Sequence, residues 1–490
     1  MYILALDEGT SSARALVFDI EGRMLGLGRH NFGLFYPQPG WVEQDAEEIW
    51  ETQLAAANEA IHTAGLKPKQ ISTIGITNQR ETTVVWNKST NKPIAPAIVW
   101  QDRRTTEHCA NLEKLGYHNL IHEKTGLLLD PYFSATKIRW LLNNVPEALQ
   151  MAQNNNLAFG TIDSWLLWKL TNGRIHATDA SNASRTLLCN LNGQWDTDLC
   201  EVFEVPKQLL PRIMPSAGLF GTTTVFGGEI PITGILGDQQ AALFGQACTK
   251  PGMIKNTYGT GCFILMNVGN QPVLSKNGLI TTIAWQINDQ ITYALEGAIF
   301  SAGASLQWLE AIGVLENVGE LDLQLSETTD TGDVYFVPAF AGLGTPHWDP
   351  NARGTIVGLT RGTTKNQLIR AALEGMAFQS QEVIQGMRAE TKIPIHSIRV
   401  DGGVSENNLL MQFQADVSGI EVNRPKNKET TAWGAALIAA YGNNLQLDTS
   451  KNQQLRQEDK LFLPTFSDER RNHLLGRWEN AVARAKNWAK

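Results

Sequence analysis

Twice in this chain an apolar strand runs into a Gly-Thr turn and straight out again into a second strand. Residues 2–6 are apolar and lead into Asp7-Glu8-Gly9-Thr10-Ser11-Ser12, after which residues 15–19 resume a strand pattern. Residues 253–258 lead into Gly259-Thr260-Gly261, and residues 262–267 continue in the same way. The likeness is too weak to be a sequence repeat, but it implies two halves built on one plan. Length points the same way, because a chain of 490 residues is too long for one hydrophobic core. The boundary is placed near residue 246, giving domains 1–246 and 247–490.

Polar groups gather where the other strands end. Residues 71–77 read as a strand that runs into Asn78-Gln79-Arg80-Glu81, and residues 97–100 as one that runs into Gln101-Asp102-Arg103. Residues 232–236 end in Gly237-Asp238-Gln239-Gln240 before a helical stretch over 241–247. Residues 397–400 lead into Asp401-Gly402-Gly403, and a helix with Leu410, Phe413 and Val417 on one face follows. Asp45 and Glu48 predict a capping box for a helix that Gly65 stops. Residues 442–460 read as a polar surface connection, and a last helix is predicted over about 468–489. The whole is an α/β pattern.

Composition narrows the function by exclusion. With 42% apolar and 18% charged residues the chain is an ordinary globular one. Its net charge of -8 comes with no basic stripe, so neither nucleic acid nor an anionic membrane has an electrostatic basis as partner. The five cysteines lie far apart without a C-x-x-C pair, which argues against a zinc site or a disulfide framework and for a reducing compartment. No run approaches the ~20 apolar residues of a membrane span, and the opening residues are too short a run for a secretion signal. A small polar metabolite handled in the cytoplasm fits best.

Each polar turn has a chemistry and an ordinary alternative. Thr10, Ser11 and Ser12 offer amides and hydroxyls to phosphate oxygens, with Arg14 to neutralise charge and Asp7 to hold hydrated Mg2+; an Asp-Gly hairpin turn has the same sequence. Arg80 and Glu81 together can read vicinal hydroxyls, or form a solvated pair. Asp238 can take a proton from an attacking hydroxyl, or simply begin a helix. Gly402 and Gly403 let the backbone approach a flat ligand, or only make a tight turn. Trp100, Tyr132 and Phe263 can wall a small pocket, or pack in a core.

Their order along the chain settles which reading to take. Asp7 to Arg14, Asn78 to Glu81, Trp100 to Thr105, Gly237 to Gln240, Tyr258 to Gly261 and Asp401 to Gly403 resemble, nearly end to end, the glycerol-phosphorylating branch of the FGGY carbohydrate kinase family. Tyr132 to Asn144, and Gly358 to Thr364 with Arg370 to Glu374, are also close to family signatures. The resemblance implies two actin-like, ribonuclease-H-type domains flanking a deep active-site cleft. It implies ATP and glycerol as substrates, Mg2+ as cofactor and Asp238 as general base. The polyol would meet Arg80, Glu81, Trp100, Tyr132, Asp238, Gln239 and Phe263. The nucleotide would meet Thr10, Ser11, Ser12, Arg14, Thr260, Gly303, Gln307, Gly403 and Asn407, with Asp7 and Asp238 at the metal. A homo-oligomer is compatible with this reading.

Three residues depart from the family pattern. Glu8 stands where Gln is usual, Ala13 shortens the hydroxyl run, and Trp433 replaces a smaller residue. Of these only Glu8 bears on function, because it adds negative charge beside the phosphates, and Arg14 or Mg2+ is expected to offset it. Thr222 to Glu229 lacks the basic loop that binds fructose 1,6-bisphosphate in some relatives, and Thr224 stands where others carry a phosphorylated His, so neither control is expected. Two alternatives remain open: a family kinase acting on another small polyol or a ketose, and a nucleotide-binding pseudokinase.

Overall fold

A computed structural model describes residues 1–445 and 455–489. Its main feature is a 13-stranded sheet. From one edge the strands are Met24–Asn31, Ser12–Asp19, Tyr2–Glu8, Ile71–Asn78, Ile230–Gly237 and Ala217–Thr223, followed by Ile280–Ile287, Gln290–Ile299, Cys262–Gly269, Ile254–Tyr258, Ser397–Asp401, Glu421–Pro425 and Glu458–Phe462.

The twofold plan read from the turns is present in strand order and direction. In the first half Tyr2–Glu8 pairs antiparallel with Ser12–Asp19, which pairs antiparallel with Met24–Asn31. On its other side it pairs parallel with Ile71–Asn78, which pairs parallel with Ile230–Gly237. In the second half Ile254–Tyr258 has the same set of neighbours: antiparallel Cys262–Gly269 and beyond it Gln290–Ile299, parallel Ser397–Asp401 and beyond it Glu421–Pro425. Each half keeps a meander on one side and crossovers on the other. The two half-sheets join through a single parallel pairing, Ala217 with Ile287.

Equivalent helices close the join. Helix Asp238–Gly245 follows the last parallel strand of the first half, and helix Thr430–Gly442 follows that of the second. They pack so tightly that a Cβ at Gly434 would lie 1.8 Å from the Ala241 carbonyl oxygen, and one at Gly245 would lie 2.0 Å from that of Thr430. Glycine is required at both by this backbone approach. Trp433 crosses the same seam, with its ring 5.2 Å from Phe18 and against Gly22, so this bulky residue fills space between the halves.

Several local expectations need correction. Asp45 caps helix Ala46–Thr63 by accepting from the Glu47 amide, whereas Glu48 turns away to the Gly33 amide, so no reciprocal box forms. The strand expected over 97–100 shortens to Ala97–Ile98, and the final helix ends at Ala485. Part of the polar stretch 442–460 lies outside the described residues, and its end forms the edge strand Glu458–Phe462 rather than a loop. A short 3-10 turn, Gly403–Glu406, separates Asp401 from helix Asn408–Ser418, so the helix starts later than the glycines imply.

Candidate active site

Parallel strands deliver their C-terminal ends to one side of a sheet, and this is where the motif residues lie. Arg80 and Glu81 follow Ile71–Asn78 and are 2% and 1% exposed, so they are not a solvated surface pair. Glu81 has a φ of 62°, a left-handed conformation that costs free energy for a residue with a side chain. Its carbonyl accepts from Thr83 and Ser134 hydroxyls, which hold it there. Asp238 is the first residue of its helix, after the Gly237 cap, and accepts from the Gln239 amide at 2.7 Å.

These groups converge. Arg80 Nε lies 3.2 Å from Asp238 Oδ1, and an Arg80 terminal nitrogen lies 3.5 Å from the Tyr132 hydroxyl. The Arg80 guanidinium sits 5.9 Å from the centre of the Phe263 ring. Trp100 meets Tyr132 edge-on at 5.7 Å and Phe263 at 6.2 Å. Tyr132 is held from below: Lys137 Nζ donates to the carbonyls of Pro131, Tyr132 and Phe133 at 2.6, 2.7 and 3.1 Å. Asp238 keeps 29% of its side chain accessible beside Arg80. Burial raises its carboxyl above the ordinary aspartate range, with Arg80 and Lys255 pulling the other way.

The first Gly-Thr turn adjoins this cluster through a bond from the Trp100 indole N–H to the Thr10 hydroxyl at 3.0 Å. Thr10, Ser11 and Ser12 occupy the first Gly-Thr turn. Arg14 pairs with Asp7 and reaches Glu429 of the second half at 2.6 Å. Burial raises the Asp7 carboxyl against the lowering effect of Arg14. One Asp7 oxygen binds Arg14, which leaves the other for a hydrated cation.

The second half gathers its own set. The Thr260 carbonyl accepts from the amides of Ala302 and Ala304 at 2.8 and 3.2 Å, and Gly303 N–H donates to the Gly259 carbonyl at 3.0 Å. Gly303 therefore starts a helix directly behind the second Gly-Thr turn, and Gln307, one turn further along it, is exposed. Gly402 has a φ of 84°, and a Cβ there would strike the Tyr258 carbonyl oxygen at 2.3 Å. A Cβ at Gly403 would meet nothing within 4 Å, so this glycine faces open space. Asn407 is engaged otherwise, accepting from the Leu410 amide as a helix cap and donating to Asp322.

Sequence reasoning missed three charged residues. Glu296, fully buried in strand Gln290–Ile299, takes both terminal nitrogens of Arg80 at 2.6 and 2.9 Å and one of Arg185 at 3.2 Å. Arg185 Nε in turn donates to Glu81 at 2.6 Å. Burial opposes the charge on Glu296, but Arg185 and Arg80 outweigh it and hold the carboxyl down to about 2. Lys255, also fully buried, donates to Gln239, and burial pulls its ammonium down to about 8. Glu296 and Lys255 lie in buried strands and Arg185 in a buried turn after helix Ala180–Ala183, and a buried charge requires a partner.

Glu8 differs from expectation. It is fully buried, one place along from Asp7 and so on the opposite face of the strand. Arg14 is committed to Asp7 and Glu429, and Glu8 instead lies 3.4 Å from the Gln79 amide nitrogen. Its other oxygen, Oε1, has no partner among the described residues. Burial therefore raises its carboxyl well above the usual 4.5. In the unfolded chain the group ionises near 4.5, so folding must hold it protonated and stability declines as pH rises from there towards the folded pKa. Glu8→Gln removes that cost. The variant is expected to melt higher than the parent at pH 8, with a smaller gain at pH 5; equal gains at both would refute this account.

Profiles of the FGGY family of carbohydrate kinases match in both parts, the N-terminal domain over residues 2–245 and the C-terminal domain over 254–442. A glycerol kinase of Pseudothermotoga lettingae is 52% identical, with 99% of each chain covered. One from Deinococcus radiodurans is 51% identical over 99% of this chain and 98% of its own. Among solved structures, Plasmodium falciparum glycerol kinase with ADP superposes with a TM-score of 0.92 at 37% identity, covering 99% of this chain and 98% of the other. Lactobacillus acidophilus xylulose kinase shares the fold, with a TM-score of 0.89 at 22% identity over 99% of each chain. The twinned strand order is thus that of two actin-like, ribonuclease-H-like domains, and the chain belongs to the FGGY family of carbohydrate kinases.

Proposed function

We propose that this protein transfers the γ-phosphoryl group of ATP to a primary hydroxyl of glycerol, giving sn-glycerol 3-phosphate, with Asp238 as the base. The observation that carries the reading is the placement of Asp238 within 3.2 Å of Arg80, in a cluster whose Trp100 is hydrogen-bonded to the phosphate turn. An acceptor hydroxyl at Asp238 would then lie beside the phosphate to be transferred. The 50–52% identity to glycerol kinases over essentially the whole chain supports glycerol as the acceptor.

In this reading Arg80, Glu81, Tyr132 and Gln239 hold the hydroxyls, and Trp100 and Phe263 exclude water from the carbon backbone. Thr10, Ser11, Ser12 and Arg14 take the phosphates from the first domain, and Thr260 from the second. Gly303, Gln307, Gly403 and Asn407 line the nucleoside, Asn407 through its position at the helix start because its side chain is already engaged. The domains are taken as 1–246, with the polyol and phosphate sites, and 247–490, with the nucleotide. Asp7 and Asp238 suit Mg2+, which keeps several waters and needs few protein carboxylates. The ion would neutralise charge between the phosphates. Phosphoryl transfer through a loose transition state asks mainly for positioning, so Asp238 need only accept the hydroxyl proton late. No described helix is long and apolar enough to cross a membrane; with five unpaired, buried cysteines this supports work in the reducing cytoplasm.

Coupled ADP release with glycerol, other small polyols and ketoses tests the proposal directly. Glycerol is expected to give the highest kcat/KM, and a ketose preferred over it would replace the reading. Arg80→Ala should cost on the order of 1.5 to 3 kcal/mol in kcat/KM for glycerol by removing a charge-assisted donor, with little effect on the KM for ATP. Equal losses for both substrates would show that Arg80 serves the fold rather than the polyol.

A further inference from the structure

Lys255 is buried without exposure in strand Ile254–Tyr258 of the second half, yet its ammonium points at a residue of the first. All three of its protons have acceptors: Gln239 Oε1, Thr257 Oγ1 at 2.8 Å and the Phe263 carbonyl at 3.2 Å. Burying an ammonium is costly, and a methionine of similar length would fill the same space at less cost. The charge therefore has a task beyond packing.

That task follows from hydrogen-bond chemistry. A lysine ammonium donates and never accepts, so the carboxamide of Gln239 must turn its oxygen towards Lys255. Its NH2 group is then forced to the other side, where Nε2 lies 3.4 Å from Asp238 Oδ2. Lys255 thus excludes the flipped amide, which would place an acceptor next to the Asp238 carboxylate and leave a substrate hydroxyl without a donor. The strand hairpin that bears Lys255 also carries Thr260 at its turn and Phe263 on its return strand.

We propose that Lys255 is a positioning residue that locks the Gln239 carboxamide with its NH2 towards the polyol, so that the second domain completes the acceptor pocket of the first. The inference rests on the polyol reading of Gln239. A double-mutant cycle separates the two. Lys255→Met, Gln239→Leu and the double variant of the full chain are compared in kcat/KM for glycerol and in KM for ATP, with melting temperatures as a check on folding.

Losing one oriented donor should cost each single variant about tenfold in kcat/KM for glycerol, with the KM for ATP within about twofold of the parent. The double variant should be hardly worse than Gln239→Leu, because the main effect of Lys255 on glycerol passes through that amide, whereas its pull on the Asp238 carboxyl shows separately as a shift of the acid limb of the rate profile. If the two losses multiply, or if Lys255→Met leaves glycerol kinetics unchanged while Gln239→Leu impairs them, the positioning role is overturned and the polyol reading stands. If Gln239→Leu has no effect on glycerol, the polyol reading of that residue falls, and the inference with it. Where Lys255→Met does not fold, Lys255→Gln carries the same cycle.

Discussion

Asp238→Asn is expected to lower turnover with glycerol by about 10²-fold or more while the protein stays folded. The amide has the size of the carboxylate and can still accept from the Gln239 N–H, so the helix start is preserved. It can no longer take a proton, and it no longer neutralises Arg80 at 3.2 Å. Because burial raises the Asp238 carboxyl, the acid limb of the parent's rate profile should lie above the ordinary aspartate range near 3.9. Below that limb the base is protonated and activity falls; above it activity is full. Asp238→Asn should flatten the limb as well as lower the plateau. A variant with near-native turnover would remove Asp238 from the chemistry.

The parts of this site that were legible in the sequence are those carried by turns. Gly-Thr turns, Arg80-Glu81 and Gly237-Asp238 stand out because polar groups at the ends of apolar strands break a regular pattern, and because local spacing fixes their relation. The twofold plan was visible at residues 2–19 and 253–267 for the same reason. The long pairing between halves was not, since nothing in residues 217–223 specifies Ile287 as a neighbour. Neither was the role of Trp433, whose partners Phe18 and Gly22 are distant in sequence.

Glu296, Arg185 and Lys255 show where reading by turns fails. In Leu295-Glu296-Gly297 the acid lies within the buried, otherwise apolar end of its strand, and the sequence gives no sign of which cation meets it. The partner, Arg80, is 216 residues away. What the sequence did carry was the anomaly itself: a charge in a buried strand implies an opposite charge in contact. Glu8 shows the opposite limit: it neighbours Asp7 in sequence, but strand alternation sends the two side chains to opposite faces.

Glu296→Gln should lower the unfolding free energy by about 3–5 kcal/mol, the usual cost of removing one charge from a buried pair and leaving the other uncompensated. Arg80 and Arg185 between them have Glu81, Asp238 and Glu296 as ion-pair partners, and Lys255 is drawn to Asp401, Asp238 and Glu296. The variant takes one carboxylate away from these buried cations. It also loses the bidentate clamp that aims Arg80, so kcat/KM for glycerol should fall with it. Adding Arg185→Gln tells balance from aim. The double variant restores the charge count and should regain part of the lost stability, measured by urea unfolding. It should not regain kcat/KM for glycerol, because Arg80 still lacks its carboxylate. Recovery of glycerol kinetics together with stability would mean that Glu296 serves only to balance charge, and that Arg80 finds its place without being held by the second half.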